Sequence, residues 1–512
     1  MKIIIVGTTA ACFYGFRAEL IKNLNKKNIT VYAFTSEYSD ADLKKIESLG
    51  AIPVTYELNR GGLNPLADIV ATYKLAKKIK AINPDLVFSY FSKPVIFGTL
   101  AAKLAAVPRR IGMLEGLGYT FTDQPNGISS KAKLIRNIQI LMLNIVYIIT
   151  RSDVLGGASV HLLDLAKGMI RQGHQVHILV GGEGAFTEEL KKNNINFSSL
   201  EYLKREISIK DDLLGFWEIK KHLKQLKPDI VHCHSSKAGL LGRLAAKSLN
   251  LPVVFTAHGW AFTDGVSPRK QKIYATLERF MTKFSDHIIT VSEYDRQHGF
   301  KHKVGTPELV QTIHNGVPDI KTSASEKSSS IVRLIMVARF EDPKDQYFLI
   351  QALSKLPAHL TWQIDFLGDG PNLQKCQELV ANENLNSKII FHGQSFKVKE
   401  FLNQADIFVL ISNYEGFPLT ILEAMSTSLP IIASDVGGVK ESVSSKNGYI
   451  IPKGDIDILV QSLQELIVDK NLRLQLGNKS RHLYETQFNF NTMLHKTLDV
   501  YNQVLSKRSL KQ

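Results

Sequence analysis

The chain has 512 residues and a mass of 57.2 kDa, about three times the usual size of one domain, so two or three domains are expected. Hydrophobic residues make up 44% and charged residues 22% of the sequence, which excludes a disordered, collagen-like or coiled-coil protein. The three cysteines form no CxxC pair, which excludes a disulfide framework or zinc ribbon and favours a reducing, cytoplasmic compartment.

The net charge of +15 is unevenly distributed along the chain. Residues 1–141 carry 19 Lys and Arg against 10 Asp and Glu, residues 142–316 carry 23 against 17, and residues 317–512 carry 21 against 21. This asymmetry favours an anionic partner, namely nucleic acid, an acidic membrane surface or a phosphate-bearing substrate, but lysines on solvated helix faces explain it equally well. The longest apolar run, 138–149, is interrupted by Gln139 and Asn144, so no membrane span is expected.

Three series of short β-branched runs alternate with helical stretches, which is typical of parallel sheets covered by helices. The first series predicts strands at 3–6, 30–34 and 85–89, with helices at 17–27 and 65–81. The second predicts strands at 144–149, 175–180, 229–232, 253–256 and 287–291, and closes near Ile313. After a Ser-rich stretch at 318–330, the third predicts strands at 331–337, 363–367, 388–391, 406–411 and 430–433, then a last helix at 488–505. Each series indicates one Rossmann-like unit.

The first two series resemble each other in sequence, which indicates an internal repeat. The matches at a constant offset of 144 positions are Ser92-Lys93 with Ser236-Lys237, Gly98 with Gly242, Leu100–Lys103 with Leu244–Lys247, and Pro108 with Pro252. Further on, the first series has Glu115-Gly116 where the second has His258-Gly259. The first series then stops before any strand comparable with 287–291, and the chain restarts at Met142.

The third series contains a loop with two glutamates eight positions apart. Glu415 lies in a Gly-Phe-Pro turn after a strand, and Glu423 lies about two turns into the helix that opens near Pro418. The free N–H groups of such a helix start suit a phosphate, and the carboxylates could accept hydrogen bonds from polyol groups. Taken alone, this pair is better explained by a helix cap plus a surface glutamate.

Two cations and a glycine turn are predicted to lie near this loop. Arg339 and Lys344 follow the strand at 331–337, and Gly368 begins a turn after the next strand. Because open α/β sheets bind ligands beyond the carboxyl ends of their strands, the cations could neutralise a diphosphate, and Gly368 permits close approach of the backbone.

Together these motifs make residues 142–505 resemble a retaining, nucleotide-sugar-dependent glycosyltransferase of family 4. The motifs that carry the resemblance are Gly156–Ser159, Gly173–Val176, Thr256–Gly259, Val291-Ser292, His314–Val317, Arg339 with Lys344, and Glu415–Glu423. Residues 1–141 resemble the acceptor-side domain of such enzymes, without a nucleotide half. The resemblance implies a GT-B fold, in which two Rossmann-like domains face a cleft, plus one additional N-terminal Rossmann-like domain.

The same resemblance implies a division of the chain into five segments. Residues 1–141 are an incomplete acceptor-type domain, 142–317 the acceptor domain, 318–330 a linker, 331–487 the nucleotide-sugar-binding domain, and 488–512 a C-terminal helix that crosses back to the acceptor domain.

The resemblance also assigns roles to individual residues. His258 and Glu415 are the expected catalytic residues beside the transferred sugar. The expected donor-binding residues are Gly156, Gly157, Arg339, Lys344, Gly368, Phe417, Pro418, Leu419 and Glu423, with Glu423 on the ribose, the cations on the pyrophosphate, and backbone amides from Phe417 and Leu419. No aspartate pair of the DxD type lies at a strand end, so neither a metal nor a cofactor is expected.

The expected donor is a nucleoside-diphosphate sugar, and the frequency of uridine donors in the family favours a UDP-sugar. The expected acceptor is a polyprenyl-pyrophosphate-linked glycan for a capsule or O-antigen-like polysaccharide. The enzyme is expected to reach it at the inner face of the plasma membrane. Anionic lipid, rather than nucleic acid, is the expected partner of the basic surface. The expected mechanism is front-face displacement, with a covalent glycosyl-glutamate as the alternative.

Three other classes of function compete with this interpretation. A nicotinamide oxidoreductase is disfavoured, because no strand is followed by a GxGxxG with an acidic residue about twenty positions further on. A non-transferase on the same scaffold, such as a sugar-nucleotide epimerase or a phosphorylase, is harder to exclude. A recombined, inactive binding protein is the third alternative, although every motif of residues 142–505 is intact.

Overall fold

The structure is a computed structural model that describes residues 1–15, 17–57, 65–113, 142–263, 265–320, 331–395 and 397–509. The chain divides into two compact units, Met1–Leu141 and Met142–Gln512. The described strands form three separate parallel sheets, so the predicted class of fold is confirmed. Glu115 and most of the linker at 318–330 lie outside the described residues. In the part of the chain that is described, no helix is long and apolar enough to cross a membrane.

The first unit contains a five-stranded sheet. Its strands are β1 (Lys2–Val6), β2 (Thr30–Thr35), β3 (Ala51–Thr55), β4 (Leu86–Tyr90) and β5 (Arg109–Met113), and its helices are α1 (Ala11–Tyr14), α2 (Ala18–Lys26), α3 (Asp40–Ser48), α4 (Pro65–Ile82) and α5 (Ser92–Leu104). The strand order is β3-β2-β1-β4-β5. Side chains of the central strand β1 belong to hydrophobic clusters on both faces of the sheet, which explains its continuous apolar run.

The first half of the second unit contains a seven-stranded sheet. Its strands are β6 (Asn144–Ile149), β7 (Gln175–Gly181), β8 (Asn196–Leu200), β9 (Ile230–His234), β10 (Val253–Ala257), β11 (His287–Thr290) and β12 (Val310–Thr312). Its helices are α6 (Gly157–Arg171), α7 (Ala185–Lys192), α8 (Ile209–Leu226), α9 (Ser236–Ser248), α10 (Pro268–Met281) and α11 (Glu293–Lys301), with a 3₁₀ turn at Thr282–Phe284. The strand order is β12-β11-β10-β9-β6-β7-β8.

The second half contains a six-stranded sheet. Its strands are β13 (Val332–Val337), β14 (Trp362–Leu367), β15 (Ile389–Phe391), β16 (Ile407–Leu410), β17 (Ile431–Ser434) and β18 (Gly448–Ile451). Its helices are α12 (Gln346–Ser354), α13 (Leu373–Asn382), α14 (Val398–Gln404), α15 (Leu419–Ser426), α16 (Ile456–Val468) and α17 (Lys470–Leu483), with a 3₁₀ turn at Gly437–Glu441 and a π-helical turn at Tyr484–Phe488. The strand order is β15-β14-β13-β16-β17-β18.

The last helix, α18 (Phe490–Ser509), follows the second half in sequence but packs on the first. Its buried side chains Leu494 and Tyr501 share a hydrophobic cluster with Tyr147 of β6 and with α6. A Cβ on Gly168 of α6 would lie 2.5 Å from the ring of Phe490, so the small residue allows this close packing. The chain therefore crosses twice between the halves, which ties them into one unit.

Candidate active site

The loops after β13 and β16 lie side by side, because the strand order of the second half reverses between these two strands. Lys344, from the first loop, forms an isolated bridge with Ser412 of the second, and its ammonium group forms an ion pair with Glu415. The side chains of Lys344 and Glu415 are only 19% and 10% exposed. The structure thus brings together the predicted diphosphate cation and the predicted catalytic carboxylate.

The backbone of Glu415 and Gly416 is enclosed from two sides. A Cβ on Gly437, which has a φ of +53°, would lie 1.8 Å from the carbonyl oxygen of Glu415. On the other side, a Cβ on Gly416 would lie 2.8 Å from the carbonyl oxygen of His258. The Glu415 loop therefore packs against the backbone of His258 in the opposite half.

Arg339 lies at the same edge of the second sheet as Lys344. Its side chain is 45% exposed and forms an ion pair with Glu341. Gln346 Nε2 donates a hydrogen bond of 2.9 Å to the carbonyl oxygen of Arg339. A Cβ on Gly368 would lie 2.0 Å from the carbonyl oxygen of Ala338, so Gly368 supports the loop that carries Arg339.

A third cation, Arg151 of the opposite half, lies close enough to this loop to feel the charge of Glu341. Arg151 follows β6 and donates hydrogen bonds of 2.9 and 2.7 Å to the carboxylate of Asp153. The hydrogen bond to Asp153 raises the pKa of Arg151, and the negative charge of Glu341 on the opposite half raises it further. The sequence analysis missed Arg151, although a cation two residues beyond the end of a buried strand is the signal that identified Arg339.

Gly156 and Gly157 lie at the N-terminus of the 15-residue helix α6. Gly156 is the N-cap, and a Cβ on either glycine would meet no atom within 4 Å. Neither glycine is therefore crowded by its surroundings, and the dipole of α6 would stabilise an anion at this N-terminus.

Helix α15 begins at Leu419, with Pro418 as its N-cap. The side chain of Phe417 is buried, with its ring centroid 4.8 Å from that of His314, and its carbonyl oxygen accepts a hydrogen bond of 2.7 Å from Asn315 Nδ2. The side chain and carbonyl of Phe417 therefore connect the two halves. The donor-binding role that we predict for Phe417 depends on its amide alone.

Glu423 is the fifth residue of α15, a little over one turn from the start of the helix, so the prediction of two turns was wrong. Burial, together with a smaller contribution from the negative charge of Asp164, raises the pKa of Glu423 to about 7. Burial also raises the pKa of Asp164, on α6 of the other half, to about 6. The sequence analysis missed Asp164, because one polar residue within an amphipathic helix has no distinguishing pattern.

His258 belongs to a cluster of histidines at the carboxyl ends of β9 and β10. His234 Nδ1 lies 2.9 Å from His258 Nε2, and the ring centroids of His161 and His258 are 4.8 Å apart. Burial lowers the pKa of His161 to about 4 and holds the pKa values of His234 and His258 well below their usual range. All three imidazoles are therefore neutral at neutral pH.

One ring nitrogen from each of these three histidines lies within 4.8 Å of the others, so the cluster could bind a transition-metal ion. His161 Nδ1 and His234 Nε2 are buried and have no hydrogen-bond partner among the described residues. The sequence analysis missed His161 and His234. The signal for His234 was present, because His232 and His234 alternate at the end of a buried strand.

Glu441 connects the halves at a further point. Its carboxylate accepts hydrogen bonds of 2.8 and 2.7 Å from the backbone N–H groups of Glu293 and Tyr294, at the N-terminus of α11. It also accepts one of 2.6 Å from His314 Nε2. Burial acts to raise the pKa of Glu441, but these hydrogen bonds outweigh it and the pKa is lowered. A carboxylate of one half thus caps a helix of the other.

Comparisons with known proteins agree with this architecture. Residues 155–319 match the model of Glycosyltransferase Family 4, residues 321–483 that of Glycosyl transferases group 1, and residues 2–152 that of Glycosyl transferase 4-like. The solved structure of Anabaena Alr3699/HepE with UDP and glucose aligns over its whole length with 70% of this chain, at a TM-score of 0.62 and 20% identity. The structure of WaaG, a glycosyltransferase involved in lipopolysaccharide biosynthesis, aligns over 99% of its length with 70% of this chain, at a TM-score of 0.56 and 19% identity. The fold is therefore that of GT-B glycosyltransferases.

Curated relatives identify the family. The chain is 30% identical over 372 residues to the UDP-Gal:alpha-D-GlcNAc-diphosphoundecaprenol alpha-1,3-galactosyltransferase of Escherichia coli, a match that covers 67% of this chain and 96% of that protein. It is 25% identical over 374 residues to the capsular polysaccharide biosynthesis glycosyltransferase CapM of Staphylococcus aureus, covering 67% of this chain and 95% of that protein. The chain belongs to glycosyltransferase family 4.

Proposed function

We propose that the second unit transfers a sugar from a UDP-sugar to a polyprenyl-pyrophosphate-linked glycan, with retention of anomeric configuration, in the synthesis of a bacterial surface polysaccharide. The observation that carries this proposal is the largely buried ion pair of Lys344 and Glu415, in a loop whose Gly416 approaches the carbonyl oxygen of His258. The name of the Escherichia coli relative specifies a UDP-galactose donor and a diphosphoundecaprenol-linked acceptor, which supports both substrate classes.

The groups that would stabilise the departing diphosphate come from both halves. Arg339 and Lys344 supply positive charge, and the first turns of α6 and α15 supply backbone amides and the positive ends of helix dipoles. Because these donors are held in place before the reaction, they stabilise the charge that develops on the leaving group at little cost in reorganisation.

Retention is proposed to follow from a front-face displacement. The bond between the anomeric carbon and the diphosphate oxygen breaks while the bond to the acceptor oxygen forms on the same face, and the departing diphosphate takes the proton of the acceptor hydroxyl. Glu415, held by Lys344, accepts hydrogen bonds from sugar hydroxyls and orients the ring. We propose that neither a metal ion nor a cofactor takes part in these steps.

We further propose that the enzyme works in the cytoplasm, at the inner face of the plasma membrane. A polyprenyl-linked acceptor is confined to a bilayer, and the excess of positive charge in the first 316 residues is attracted to anionic lipid.

The test is a transfer assay with the full chain. UDP-glucose, UDP-galactose and UDP-N-acetylglucosamine would each be supplied with a GlcNAc-diphosphate-lipid acceptor, and the product anomer would be assigned by NMR. The proposal predicts that one donor gives an α-linked product and that Glu415→Gln lowers kcat by about 10²- to 10³-fold while the protein stays folded. An altered free sugar nucleotide, formed without acceptor, would instead identify an epimerase.

A further inference from the structure

His232 and His234 are alternate residues of strand β9, but their hydrogen bonds differ. Both ring nitrogens of His232 are satisfied, because Nδ1 lies 2.6 Å from the hydroxyl of Tyr501 and Nε2 lies 2.7 Å from the hydroxyl of Thr256. The ring of His234 is equally buried, yet its Nε2 has no hydrogen-bond partner among the described residues. Buried polar groups are normally hydrogen-bonded, so His232 has a structural role and His234 requires another explanation.

His161 and His258 surround the ring of His234. His161 is the fifth residue of helix α6, and its buried Nδ1 likewise has no partner in the part of the chain that is described. His234 Nδ1 lies 2.9 Å from His258 Nε2, and the ring centroids of His161 and His258 are 4.8 Å apart. One ring nitrogen of each histidine lies within 4.8 Å of the other two. We call these three residues the histidine cluster.

The spacing of the histidine cluster suits one metal ion. Zinc binds imidazole nitrogens at 2.0–2.1 Å in tetrahedral geometry, so two such nitrogens lie about 3.3 Å apart. The closest pair of the cluster is already near this distance, and a small rotation of the rings would bring in the third nitrogen. Burial lowers the pKa values of all three histidines, so each is in the neutral form that a metal ion requires.

The donor atoms of the cluster select a class of metal ion. Cys233, between His232 and His234, faces the other side of the sheet, where a Cβ on Gly242 would lie 2.6 Å from its Sγ. The cluster therefore offers imidazole nitrogen without a thiolate. Imidazole suits zinc and the neighbouring first-row transition metals, whereas Mg²⁺ and Ca²⁺ prefer oxygen ligands.

We infer that the histidine cluster binds a transition-metal ion of the zinc type through one ring nitrogen each of His161, His234 and His258. A zinc ion held by three protein nitrogens keeps a fourth, open coordination position. Because His161 and His234 are buried and His258 is partly exposed, the ion is reached from the side of His258. Water or an anion would occupy the open position.

Metal binding at this cluster is expected to inhibit sugar transfer. This step rests on the proposed function, whereas binding of the ion does not. His258 is the residue expected beside the transferred sugar, and its backbone packs against Gly416 of the opposite half. An imidazole nitrogen that binds a metal ion cannot also contact a sugar hydroxyl, and the ligand at the open position would take up space beside the sugar.

The first test is a titration of the untagged full chain with Co²⁺, which takes the geometry of Zn²⁺ and absorbs visible light. Wild type is expected to bind one Co²⁺ ion per chain with the strong absorption of a tetrahedral complex, and Zn²⁺ is expected to displace it. His161→Asn and His234→Asn are each expected to bind Co²⁺ at least about tenfold more weakly. Circular dichroism shows whether both variants are folded.

His359→Asn is the matched control, because His359 lies in an exposed turn of the other half. This variant is expected to bind Co²⁺ like wild type. Absence of tetrahedral absorption in wild type, or equal binding by the cluster variants and the control, would overturn the inference.

X-ray absorption spectroscopy of the zinc-loaded wild type gives an answer that is independent of the variants. Three imidazole ligands at about 2.0–2.1 Å are expected. Fewer than three imidazoles around the ion would overturn the inference, even if the cluster variants fail to fold.

The last test adds Zn²⁺ to the transfer assay, with each protein compared with its own rate without metal. Half-inhibition of His161→Asn is expected to need at least about tenfold more Zn²⁺ than that of wild type. Equal sensitivity would overturn the inhibitory role. If wild type transfers sugar but does not bind Co²⁺ in tetrahedral geometry, the metal site fails and the proposed function stands. Tetrahedral binding without any transfer would give the reverse result.

Discussion

Two salt bridges show how closely the first unit repeats the first half of the second. Lys93 pairs with Asp68 at 2.9 Å, and Lys237 pairs with Asp212 at 2.5 Å, 144 positions further along the chain. The left-handed residues also recur at this offset, in the pairs Gly50 and Asn194, Asn83 and Lys227, Phe91 and Ser235, and Ala106 and Asn250. The interactions that shape the helices and turns are therefore common to both regions.

The side chains at the carboxyl ends of the strands differ between the two regions. Tyr90 occupies the position of His234 at this offset. Its aromatic neighbours are Phe13, Phe88 and Phe91, whereas His234 contacts His258. The stretch after β1 has no Gly-Gly pair at the start of a long helix, as α6 has. The two regions therefore share backbone turns and partly buried ion pairs, and they differ in a few residues at one edge of the sheet.

Gly437→Ala, in the half that holds Glu415, is expected to have the largest effect on activity. The new Cβ would lie 1.8 Å from the carbonyl oxygen of Glu415 and would displace it, so kcat should fall by on the order of 10²-fold. Steady-state kinetics measure this. Gly454→Ala is the matched control, since Gly454 has a φ of +78° and open space around its Cβ position. Equal activity of the two variants would contradict the assignment of the Glu415 loop.

His234→Asn tests whether His234 contributes to activity, in contrast to Tyr90 at the equivalent position of the first unit. The side-chain amide of Asn can replace the hydrogen bond between His234 Nδ1 and His258, but it lacks the imidazole ring that stacks on His258. Without this stacking His258 should lose its orientation, and kcat should fall by about 10-fold or more. Tyr90→Phe, at the equivalent position of the first unit, should leave kcat unchanged. A fall in activity for Tyr90→Phe, with His234→Asn unaffected, would reverse the roles of the two regions.

Glu441→Gln tests the connection between the halves of the second unit. Loss of the charge that caps α11 and pairs with His314 should lower the free energy of unfolding by about 1 to 3 kcal/mol. Chemical denaturation measures this. Glu378→Gln, at an exposed position of α13, is the control and should have no measurable effect. Equal stability of the two variants would show that Glu441 does not hold the halves together.

Glu423 predicts a dependence on pH. Its pKa is raised from 4.5 to about 7 in the folded protein, so its contribution to stability is complete below pH 4.5 and is lost as pH rises through 7. The loss amounts to at most about 3 kcal/mol, and Asp164 acts in the same direction. Melting temperatures of the ligand-free protein should therefore fall between pH 5 and 8, and Glu423→Gln should flatten this slope.

The affinity for UDP should depend on pH in the opposite direction to the melting temperature of the ligand-free protein. Ribose hydroxyls that donate to the carboxylate favour its ionised form, so the affinity for UDP should rise between pH 6 and 8. Calorimetric titration at several pH values measures this. An affinity that is independent of pH in wild type would contradict contact between Glu423 and the nucleotide.

Removal of metal ions is expected to have the smallest effect. Because the charge on the leaving diphosphate is assigned to Arg339, Lys344 and helix amides, treatment with EDTA should leave kcat unchanged within about twofold. Loss of activity with EDTA and recovery with Zn²⁺ would instead assign a catalytic metal to the cluster of His161, His234 and His258.

Most of the central strands were predictable from sequence, and most of the edge strands were not. The predicted strands at 144–149, 253–256 and 331–337 coincide with β6, β10 and β13, because a strand buried on both faces is a continuous β-branched run. The strands β3, β5, β8 and β18 were not predicted, and β12 was placed only as the close of its series near Ile313. Each of these lies at the edge of its sheet, where half-exposed residues weaken the apolar pattern.

Some residues of the candidate site were likewise predictable from the sequence, and others were not. Glu415, Lys344 and His258 were predictable, because a short motif after a strand places each residue at the ligand-binding edge of a sheet. Asp164 and Glu441 were not, because their importance depends on what the opposite half places in front of them. Arg151 follows its strand as Arg339 does and could have been predicted on the same grounds. Contacts across the cleft join residues more than 100 positions apart in the chain, and no local pattern records them.

The most direct test of the central claim, that the chain has one donor site and that it lies in the second unit, is calorimetric titration of the full chain with UDP, GDP and ADP without metal. UDP is expected to bind with a stoichiometry of one per chain, and Glu423→Ala is expected to abolish this binding. Two sites per chain, or binding that persists in Glu423→Ala, would contradict it.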